Sequence, residues 1–451
     1  MRVDVLVAEI GSTTTVVNAF DGLEAEPRFI AQGAAPTSVL EGDVTIGLSG
    51  AIADLQRNLE AGELEWGAMY ASSSAAGGLK MTVHGLVYDM TVRAAKEAAL
   101  GAGAVLRYLT AGDLTDHDLE SIKRIGPNII LLAGGVDYGE RATVVANARR
   151  LASLGPLAPV IYAGNVAARH EAEAILADAG YRVFAVENVY PRIDELNIEP
   201  TRRVIQRVFE EHIIHAPGMD KIRELVTGTI TPTPGAVMSA ARLLKEDIGD
   251  LMVLDVGGAT TDVHSVTEGS DEISRLLVSP EPTAKRTVEG DLGVFINARN
   301  IAELVGWEQL EEAVPGGRDL FDQLKPIPDT PGLVELVVYL TGVAVETAVR
   351  RHAGRLKHLY GPTGRVTVAE GKDLSKVRWI IGTGGALTRL PGGREIMERL
   401  KRPQRGGELF PGADAQVLLD HDYILASLGV LGANHPAAAV ALIRKSLRLE
   451  G

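Results

Sequence analysis

Two segments of the chain that lie 246 residues apart follow the same pattern, and this repeat limits the possible folds more than any other feature. Residues 7–17 align without gaps on residues 253–263. Each segment is an apolar strand that ends in an acid, turns through small residues and Thr-Thr, and continues as a second strand. A second pair, residues 129–135 and 379–385, has a similar offset of 250 residues. Two matched pairs in the same order predict a duplicated domain.

Composition and local patterning favour an α/β fold. The chain has 50 glycines and only 4% aromatic residues, which suits close-packed layers with tight strand-to-helix turns. Strand and helix patterns alternate between residues 129 and 186, and connections of that length favour parallel strands. Part of this alternation exceeds what a duplicated fold needs. It predicts either an inserted α/β segment at about residues 136–215 or an extension of the sheet.

The repeated turns have the residue types that bind a polyphosphate. Glycines let backbone amides point into one concavity, and threonine hydroxyls add donors. Asp255 and Glu9 precede the two turns, and carboxylates in that position suit Mg²⁺ that is bound mainly through water. The predicted phosphate-binding residues are Gly11, Ser12, Thr13 and Thr14 in the first turn and Gly257, Gly258, Thr260 and Thr261 in the second.

A third glycine-rich segment follows an apolar strand near residue 380. Gly382, Gly384 and Gly385 allow the close approach of a nucleoside and are predicted to border it. Leu387 stands where a dinucleotide fingerprint requires Gly or Ala, and no glycine-rich segment ends in Gly-Lys-Ser/Thr. The sequence therefore has neither a Rossmann fingerprint nor a P-loop.

In this order, the three segments resemble the phosphate-1, phosphate-2 and adenosine motifs of the superfamily of actin, heat-shock-chaperone and sugar-kinase ATPases. The resemblance implies two ribonuclease-H-like domains with Mg-ATP or Mg-ADP in the cleft between them. It also implies hinge helices rich in small residues, here at about residues 234–244 and 423–433. The expected lobes are residues 1–247 and 248–419, and residues 420–451 are expected to form helices that pack back on the first lobe.

Within that superfamily, the sequence most resembles the glutamate mutase accessory family called MutL. The supporting segments are residues 8–15, 130–135, 160–165, 254–262, 286–293 and 382–385. The resemblance implies an ATP-binding accessory or reactivating factor for an adenosylcobalamin-dependent mutase. One residue departs from the superfamily pattern, because Glu9 stands where the first motif usually has Asp.

Catalytic roles are predicted for Glu9 and Asp255, as holders of Mg²⁺, and for Asp291, as the residue that positions the attacking water. An acidic cap on an ordinary helix is the alternative interpretation of Asp291. Two other functions stay open at this point. One is a small-molecule kinase or ATP-dependent hydrolase that uses Asp291. The other is a nucleotide-gated scaffold without useful hydrolysis, which the Glu9 substitution favours.

Charge and composition narrow the set of partners and compartments. The 45 basic residues against 59 acidic residues give a net charge of −14, which argues against a nucleic-acid partner. The absence of cysteine excludes thiol nucleophiles and disulfides and is consistent with a reducing compartment. The N-terminus lacks a signal-peptide pattern, and residues 423–443 are interpreted as two packed helices and not as a membrane span. We therefore expect a cytoplasmic protein with no membrane partner.

Overall fold

A computed structural model of the chain describes residues 1–11, 13–38, 42–74, 79–102, 104–214, 221–222, 225–361, 364–401 and 407–449. These residues form three five-stranded sheets and one two-stranded sheet, with helices on their faces. The α/β fold class is therefore confirmed.

The first lobe is built on a mixed sheet whose first three strands form an antiparallel meander. Its early elements are β1 (Arg2–Ile10), β2 (Thr14–Asp21), β3 (Arg28–Pro36), α1 (Val44–Asn58) and β4 (Glu65–Ser73). Strand β4 pairs in parallel with β1, and the edge strand β10 (Ile230–Pro232) pairs in parallel with β4. The chain leaves this sheet after β4 and returns to it at β10, with a separate sheet in between.

That separate sheet is parallel throughout and forms an inserted domain. Its elements are β5 (Leu79–Gly85), a π-helical turn (Tyr88–Val92), α2 (Arg93–Gly101), β6 (Ala104–Ala111), α3 (Asp116–Ile125), β7 (Ile129–Leu132), α4 (Ala142–Ala152), β8 (Val160–Tyr162), a 3-10 turn (Val166–Ala168), α5 (Arg169–Asp178), β9 (Val183–Ala185) and α6 (Glu199–Ile214). The strand order is β6-β5-β7-β8-β9. The inserted segment is thus larger than predicted, since its sheet begins at Leu79 and not near residue 136.

The second lobe repeats the topology of the first. Its elements are α7 (Thr233–Ile248), β11 (Leu251–Val256), β12 (Thr261–Val266), α8 (Asp271–Ser274), β13 (Ala284–Glu289), α9 (Ala298–Val305), α10 (Trp307–Ala313), α11 (Gly317–Phe321), α12 (Pro331–His352), β14 (Arg355–Gly361), β15 (Gly364–Glu370), β16 (Trp379–Thr383), α13 (Gly385–Thr388), α14 (Gly393–Glu398) and β17 (Gln416–Leu419). The order β13-β12-β11-β16-β17 matches β3-β2-β1-β4-β10, with the same parallel and antiparallel pairings. This confirms the duplicated, ribonuclease-H-like fold.

Of the two pairs of similar segments in the sequence, only the first occupies equivalent positions in the two lobes. In the first pair, Glu9 faces Val16 across a hairpin, as Asp255 faces Asp262 at the same offset of 246 residues. The second pair was interpreted wrongly. Strand β16 belongs to the duplicated sheet, where its counterpart is β4, whereas β7 lies in the inserted sheet. Residues 129–135 and 379–385 are therefore alike without being equivalent parts of the duplication.

The last helices of the chain pack with α7 at the junction of the two lobes. Residues 423–443 fold as two helices in contact, α15 (Leu425–Leu431) and α16 (Pro436–Ser446), as predicted. Helix α15 packs on α7 and on β1 and β4 of the first lobe. One apolar cluster includes Val5 of β1, Val253 of β11 and buried residues of α7, α15 and α16, so both lobes share a core beneath the cleft.

One helix of the described residues, α12, is long and apolar enough to cross a membrane by length and composition. Its residues Leu336, Leu340 and Val345 are completely buried in the second-lobe core. These contacts account for its apolar character.

The crossing of α15 and α7 gives a test of the hinge. A Cβ on Gly429 would overlap the carbonyl oxygen of Ala236, so Gly429→Ala should lower the free energy of unfolding by about 2 kcal/mol through overpacking. The matched control is Gly342→Ala in α12, where the nearest atom to the new Cβ is 3.8 Å away, on Ile396. This control should gain about 0.5–1 kcal/mol from helix propensity. Urea denaturation measures the free energy of unfolding of both variants. Equal changes in the two variants would contradict the close crossing of α15 and α7.

Candidate functional site

The second repeated turn, between β11 and β12, presents free backbone amides. The amide of Gly257 donates to the carbonyl of Thr260 at 2.9 Å, which closes the turn. Among the described residues, no hydrogen bond involves the amides of Gly258, Ala259 or Thr260. Unpaired amides of half-buried residues in a glycine turn are suited to bind an anion.

The loop before α9 fixes this turn from behind. The amides of Val294 and Phe295 donate to the carbonyls of Gly257 and Gly258 at 3.2 and 3.0 Å. The Asn297 side chain donates to the carbonyl of Ala259 at 2.7 Å. Because the carbonyls of the turn are used in this way, its amides are left on the other side.

The first repeated turn has the same construction where it is described. The amide of Gly11 donates to the carbonyl of Thr14 at 3.0 Å, and the carbonyl of Thr13 accepts from Thr37 at 3.0 Å. The amide of Thr13 has no partner among the described residues. Ser12, also predicted to bind phosphate, lies outside the described residues.

The third predicted segment lies directly beside the second turn. Gly384 has φ +85°, and a Cβ on it would approach the backbone of Val256 at 2.5 Å and a carboxylate oxygen of Asp255 at 2.8 Å. Only glycine fits this position. The amides of Gly384 and Gly385 donate no hydrogen bond within the described part of the chain. Gly382, in contrast, is buried in β16 against Met397 and Leu419, so its role is packing.

Three carboxylates meet where the lobes join. Burial is the main cause that raises the pKa of Glu9 to about 7, and the charge of Asp420 adds to it. Burial also raises the pKa of Asp255 to about 7, with further contributions from the charges of Asp262, Glu9 and Asp420. The structure thus brings together the acids of both predicted turns. Buried acids with raised pKa values are typical of functional sites.

Helix α15 holds Glu9 in place. Both the amide and the hydroxyl of Ser427 donate to one Glu9 oxygen, the amide at 2.9 Å. Asn18 donates to the Ser427 hydroxyl at 2.8 Å and lies 3.5 Å from the same Glu9 oxygen. Asp420 accepts from the amide of Leu425 at 2.9 Å, so it caps this helix.

Sequence reasoning missed several of these residues. Ser427 and Asn18 belong to no motif, and the only available signal was the small-residue pattern of their elements. Tyr423 was also missed. It has φ +55°, and burial together with the charges of Glu9, Asp255 and Asp420 raises the pKa of its hydroxyl. A non-glycine residue held at positive φ is a common feature of functional sites.

Asp291 lies in a different environment from the three acids. Arg351 of α12 binds both of its oxygens, at 2.8 and 3.0 Å, and also binds Glu289 at 2.6 Å. This hydrogen-bonded guanidinium lowers the pKa of Asp291. The alternative interpretation as a helix cap is wrong, because α9 begins only at Ala298, next to Asn297. A catalytic role for Asp291 stays a prediction.

Comparison with known proteins agrees with the resemblance seen in the sequence. The family model described as MutL protein matches residues 5–447. The Protein MutL of Clostridium tetanomorphum is 36% identical over 98% of this chain and 98% of its own length. The chain belongs to the MutL protein family.

Solved structures are more distantly similar to this MutL family member. A nucleotide-free acetone carboxylase is 15% identical, with a TM-score of 0.42 over 95% of this chain and 70% of its own. A nucleotide-free diol dehydratase-reactivating factor is 12% identical, with a TM-score of 0.36 over 96% of this chain and 99% of its own. A xylulose kinase from Lactobacillus acidophilus is 10% identical, with a TM-score of 0.29 over 100% of this chain and 90% of its own.

The duplicated hairpins differ in the residues behind the acids. In the first lobe, Asn18 pairs with Gln32, and the two amides are joined by a hydrogen bond of 2.8 Å. At the equivalent place in the second lobe, His264 pairs with Arg286. These two side chains are 0% and 1% exposed. Both ring nitrogens of His264, and Nε and Nη1 of Arg286, have no partner among the described residues.

Arg286 supplies positive charge behind the acids. Its guanidinium lies 3.8 Å from Asp262, whose other carboxylate oxygen is unpartnered in the described part of the chain. The charge of Arg286 also lowers the pKa of Asp255, against the larger effect of burial. The basic pair Lys285-Arg286 is visible in the sequence as a possible phosphate contact, but the burial of Arg286 is not, because three of residues 284–289 are charged.

The pKa of Glu9 predicts an unusual pH dependence of stability. The folded pKa of about 7 exceeds the ordinary pKa of a glutamate, so this carboxyl stabilises the fold at low pH, and that contribution is lost as pH rises through the folded pKa. With chelator present, Glu9→Gln should be more stable than the wild type at about pH 8, by on the order of 2 kcal/mol. The difference should disappear at about pH 5.

Urea denaturation at both pH values provides the measurement. Glu65→Gln serves as the control, because Glu65 is an exposed residue at the start of β4. This control should change the free energy of unfolding by no more than about 0.5 kcal/mol at either pH. A Glu9→Gln protein less stable than the wild type at the higher pH would contradict the raised pKa.

Proposed function

We propose that the chain is an ATP-binding accessory or reactivating factor for an adenosylcobalamin-dependent mutase of the glutamate mutase type, and that ATP-driven lobe closure remodels its partner. Membership of the MutL family supports the accessory role. One observation carries the nucleotide part: each lobe contributes a turn with unpaired amides, and the charge of Glu9 beside the first turn raises the pKa of Asp255 beside the second. A polyphosphate with its metal fits such a divided site.

The divided site supports a mechanical role. A ligand held by both turns is bound fully only when the lobes approach each other, so binding favours the closed arrangement. The lobes meet at the crossing of α7 and α15, and Ser427 of α15 also holds Glu9. Changes at Glu9 therefore act directly on a hinge helix.

The donor set fits magnesium. The described residues contain no group of three or more His, Asp or Glu side chains arranged for a metal ion, so an all-protein cage is not present there. Glu9 and Asp255 nevertheless place an excess of negative oxygens beside free amides, as suits a cation bound mostly through water and phosphate. In our proposal these two residues would hold Mg²⁺, which would neutralise phosphate charge.

The small-molecule kinase or hydrolase is the weaker candidate. It needs Asp291 as a base, but the bidentate contact with Arg351 uses both oxygens and lowers the pKa of Asp291. A base with a lowered pKa takes up a proton poorly at neutral pH. We also propose that the protein works in the cytoplasm, where an adenosylcobalamin mutase would be its partner.

The central experiment is Mg-ATP turnover by the purified protein, alone and with an inactivated adenosylcobalamin mutase from the same source. We expect low turnover alone and stimulation by the mutase. Asp255→Ala should abolish both, because it removes an acid at the phosphate turns. Nucleotide binding without any response to the mutase would contradict the accessory role and favour a scaffold.

Asp291→Asn separates the two enzyme classes. In the remodelling factor, we expect turnover to fall by less than about tenfold, because Asp291 is held by Arg351 and does not act as the base. Asp329→Asn is the matched control, since Asp329 is another ion-paired acid of the second lobe, 2.6 Å from Lys325. A loss of more than about a hundredfold with ATP binding intact would instead support Asp291 as a catalytic residue.

A further inference from the structure

The inserted sheet has a switch point in its strand order. The order β6-β5-β7-β8-β9 corresponds to 2-1-3-4-5 along the inserted segment. The chain passes from β5 outward to β6 and then crosses to β7 on the other side of β5. In open parallel sheets, the loops after two such strands separate at their carboxyl ends, and ligands bind at this switch point. The switch point here lies between the loops that follow Gly85 and Leu132.

The loop after β7 carries free amides, like the phosphate turns. Among the described residues, no hydrogen bond involves the amides of Gly135 or Val136, although Gly135 is buried. Buried amides without a partner are rare and indicate a bound group or water. A Cβ on Gly135 would approach the carbonyl oxygen of Glu140 at 2.5 Å, so the turn requires glycine.

The sequence likeness of residues 129–135 to residues 379–385 has no explanation in the duplication, because β7 and β16 are not equivalent strands. Both segments are parallel strands that end in two glycines with unpaired amides. A shared requirement to approach an anion accounts for the likeness.

Buried side chains fix the shape of the loop. Asn165, which is 0% exposed, accepts from the amide of Tyr138 at 3.0 Å and donates to the carbonyls of Gly139 and Glu140 at 3.1 and 3.0 Å. Asn188 donates to the carbonyl of Gly135 and to Asp137, both at 3.0 Å. The loop is therefore arranged before any ligand arrives, which lowers the entropy lost on binding.

Each of the two loops at the switch point carries an exposed aromatic residue. Tyr138 follows β7 and is 84% exposed, with φ +61°, and Tyr88 is 57% exposed in the π-helical turn after β5. π-Helical turns and non-glycine residues at positive φ are both enriched at functional sites. Aromatic rings beside an anion site favour a ligand with a flat ring.

From these observations we infer that the switch point of the inserted sheet binds a small ligand that carries a phosphate on a flat ring system. The amides of Gly135 and Val136 bind the phosphate, and Tyr88 and Tyr138 contact the ring. This site is separate from the ATP cleft and does not depend on the proposed function. The π-helical turn also touches the second lobe, where Ser279 donates to the carbonyl of Asp89 at 3.3 Å.

FMN and riboflavin are the probes for this site, because they share one flat ring and differ by the phosphate. Titration of the full-length protein is followed by flavin fluorescence, which tyrosine contact quenches. FMN should bind at least about tenfold more tightly than riboflavin, since hydrogen bonds to a charged group strengthen binding by this amount or more. Equal binding of the two flavins would overturn the phosphate assignment.

Two variants at one position isolate the backbone amide. Val136→Pro removes the N–H and should weaken FMN binding by about tenfold, whereas Val136→Ala keeps the N–H and should bind FMN like the wild type. Tyr138→Ala should weaken the binding of FMN and riboflavin alike, because the ring contact does not involve the phosphate. Equal binding of FMN by the two Val136 variants would overturn the assignment.

Hydrogen exchange locates the site independently of the variants. FMN and inorganic phosphate should each slow exchange in peptides that cover residues 133–140, while Mg-ATP should slow exchange at residues 9–14 and 255–262. No slowing at residues 133–140 by either probe would overturn the inference and leave the ATP proposal untouched. FMN protection confined to the ATP turns would overturn it equally.

Discussion

The contact between α7 and α15 governs the rest of the structure. These helices cross with backbone against backbone, since Gly429 leaves no room for a side chain over Ala236. The crossing brings α15 onto β1, where Ser427 reaches Glu9, and it joins the apolar layers of both lobes into one cluster. Closely packed interiors transmit displacement instead of absorbing it. A shift at this crossing therefore moves the lobes and the first acid together.

Duplication supplied two equal hairpins, and the residues behind them have since diverged. The first lobe holds its acid with neutral, fully paired groups, Asn18 and Gln32. The second lobe places His264 and the charged Arg286 at the same positions, with atoms that lack partners in the described part of the chain. Buried groups of this kind are costly unless water, a ligand or another arrangement satisfies them. The polar groups behind Glu9 are thus fully paired, whereas those behind Asp255 are only partly paired among the described residues.

The duplicated fold, the two turns of glycine and threonine and the small-residue helices at the lobe junction were predictable from sequence because each has a local pattern: glycines and threonines after a strand, or small residues along a helix. The similarity of residues 129–135 to residues 379–385 wrongly predicted equivalent strands, since a local pattern does not reveal which sheet a strand joins. The contacts of Glu9 with Ser427, and of Asp291 with Arg351, join residues 418 and 60 positions apart. Long-range side-chain pairs of this kind depend on the assembled tertiary structure, so sequence reasoning from one chain cannot identify them.

The inserted domain is attached in a way that couples it to a rotation between the two lobes. This domain leaves the first lobe after β4 and rejoins it at β10, and these two strands are hydrogen-bonded neighbours at residues 71–73 and 230–232. On its other side, Lys285 of β13 lies 2.9 Å from Glu281 and 3.7 Å from Glu97 of α2. The domain is thus anchored to one lobe and in contact with the other. A small rotation between the lobes would therefore produce a larger displacement of the outer loops of this domain.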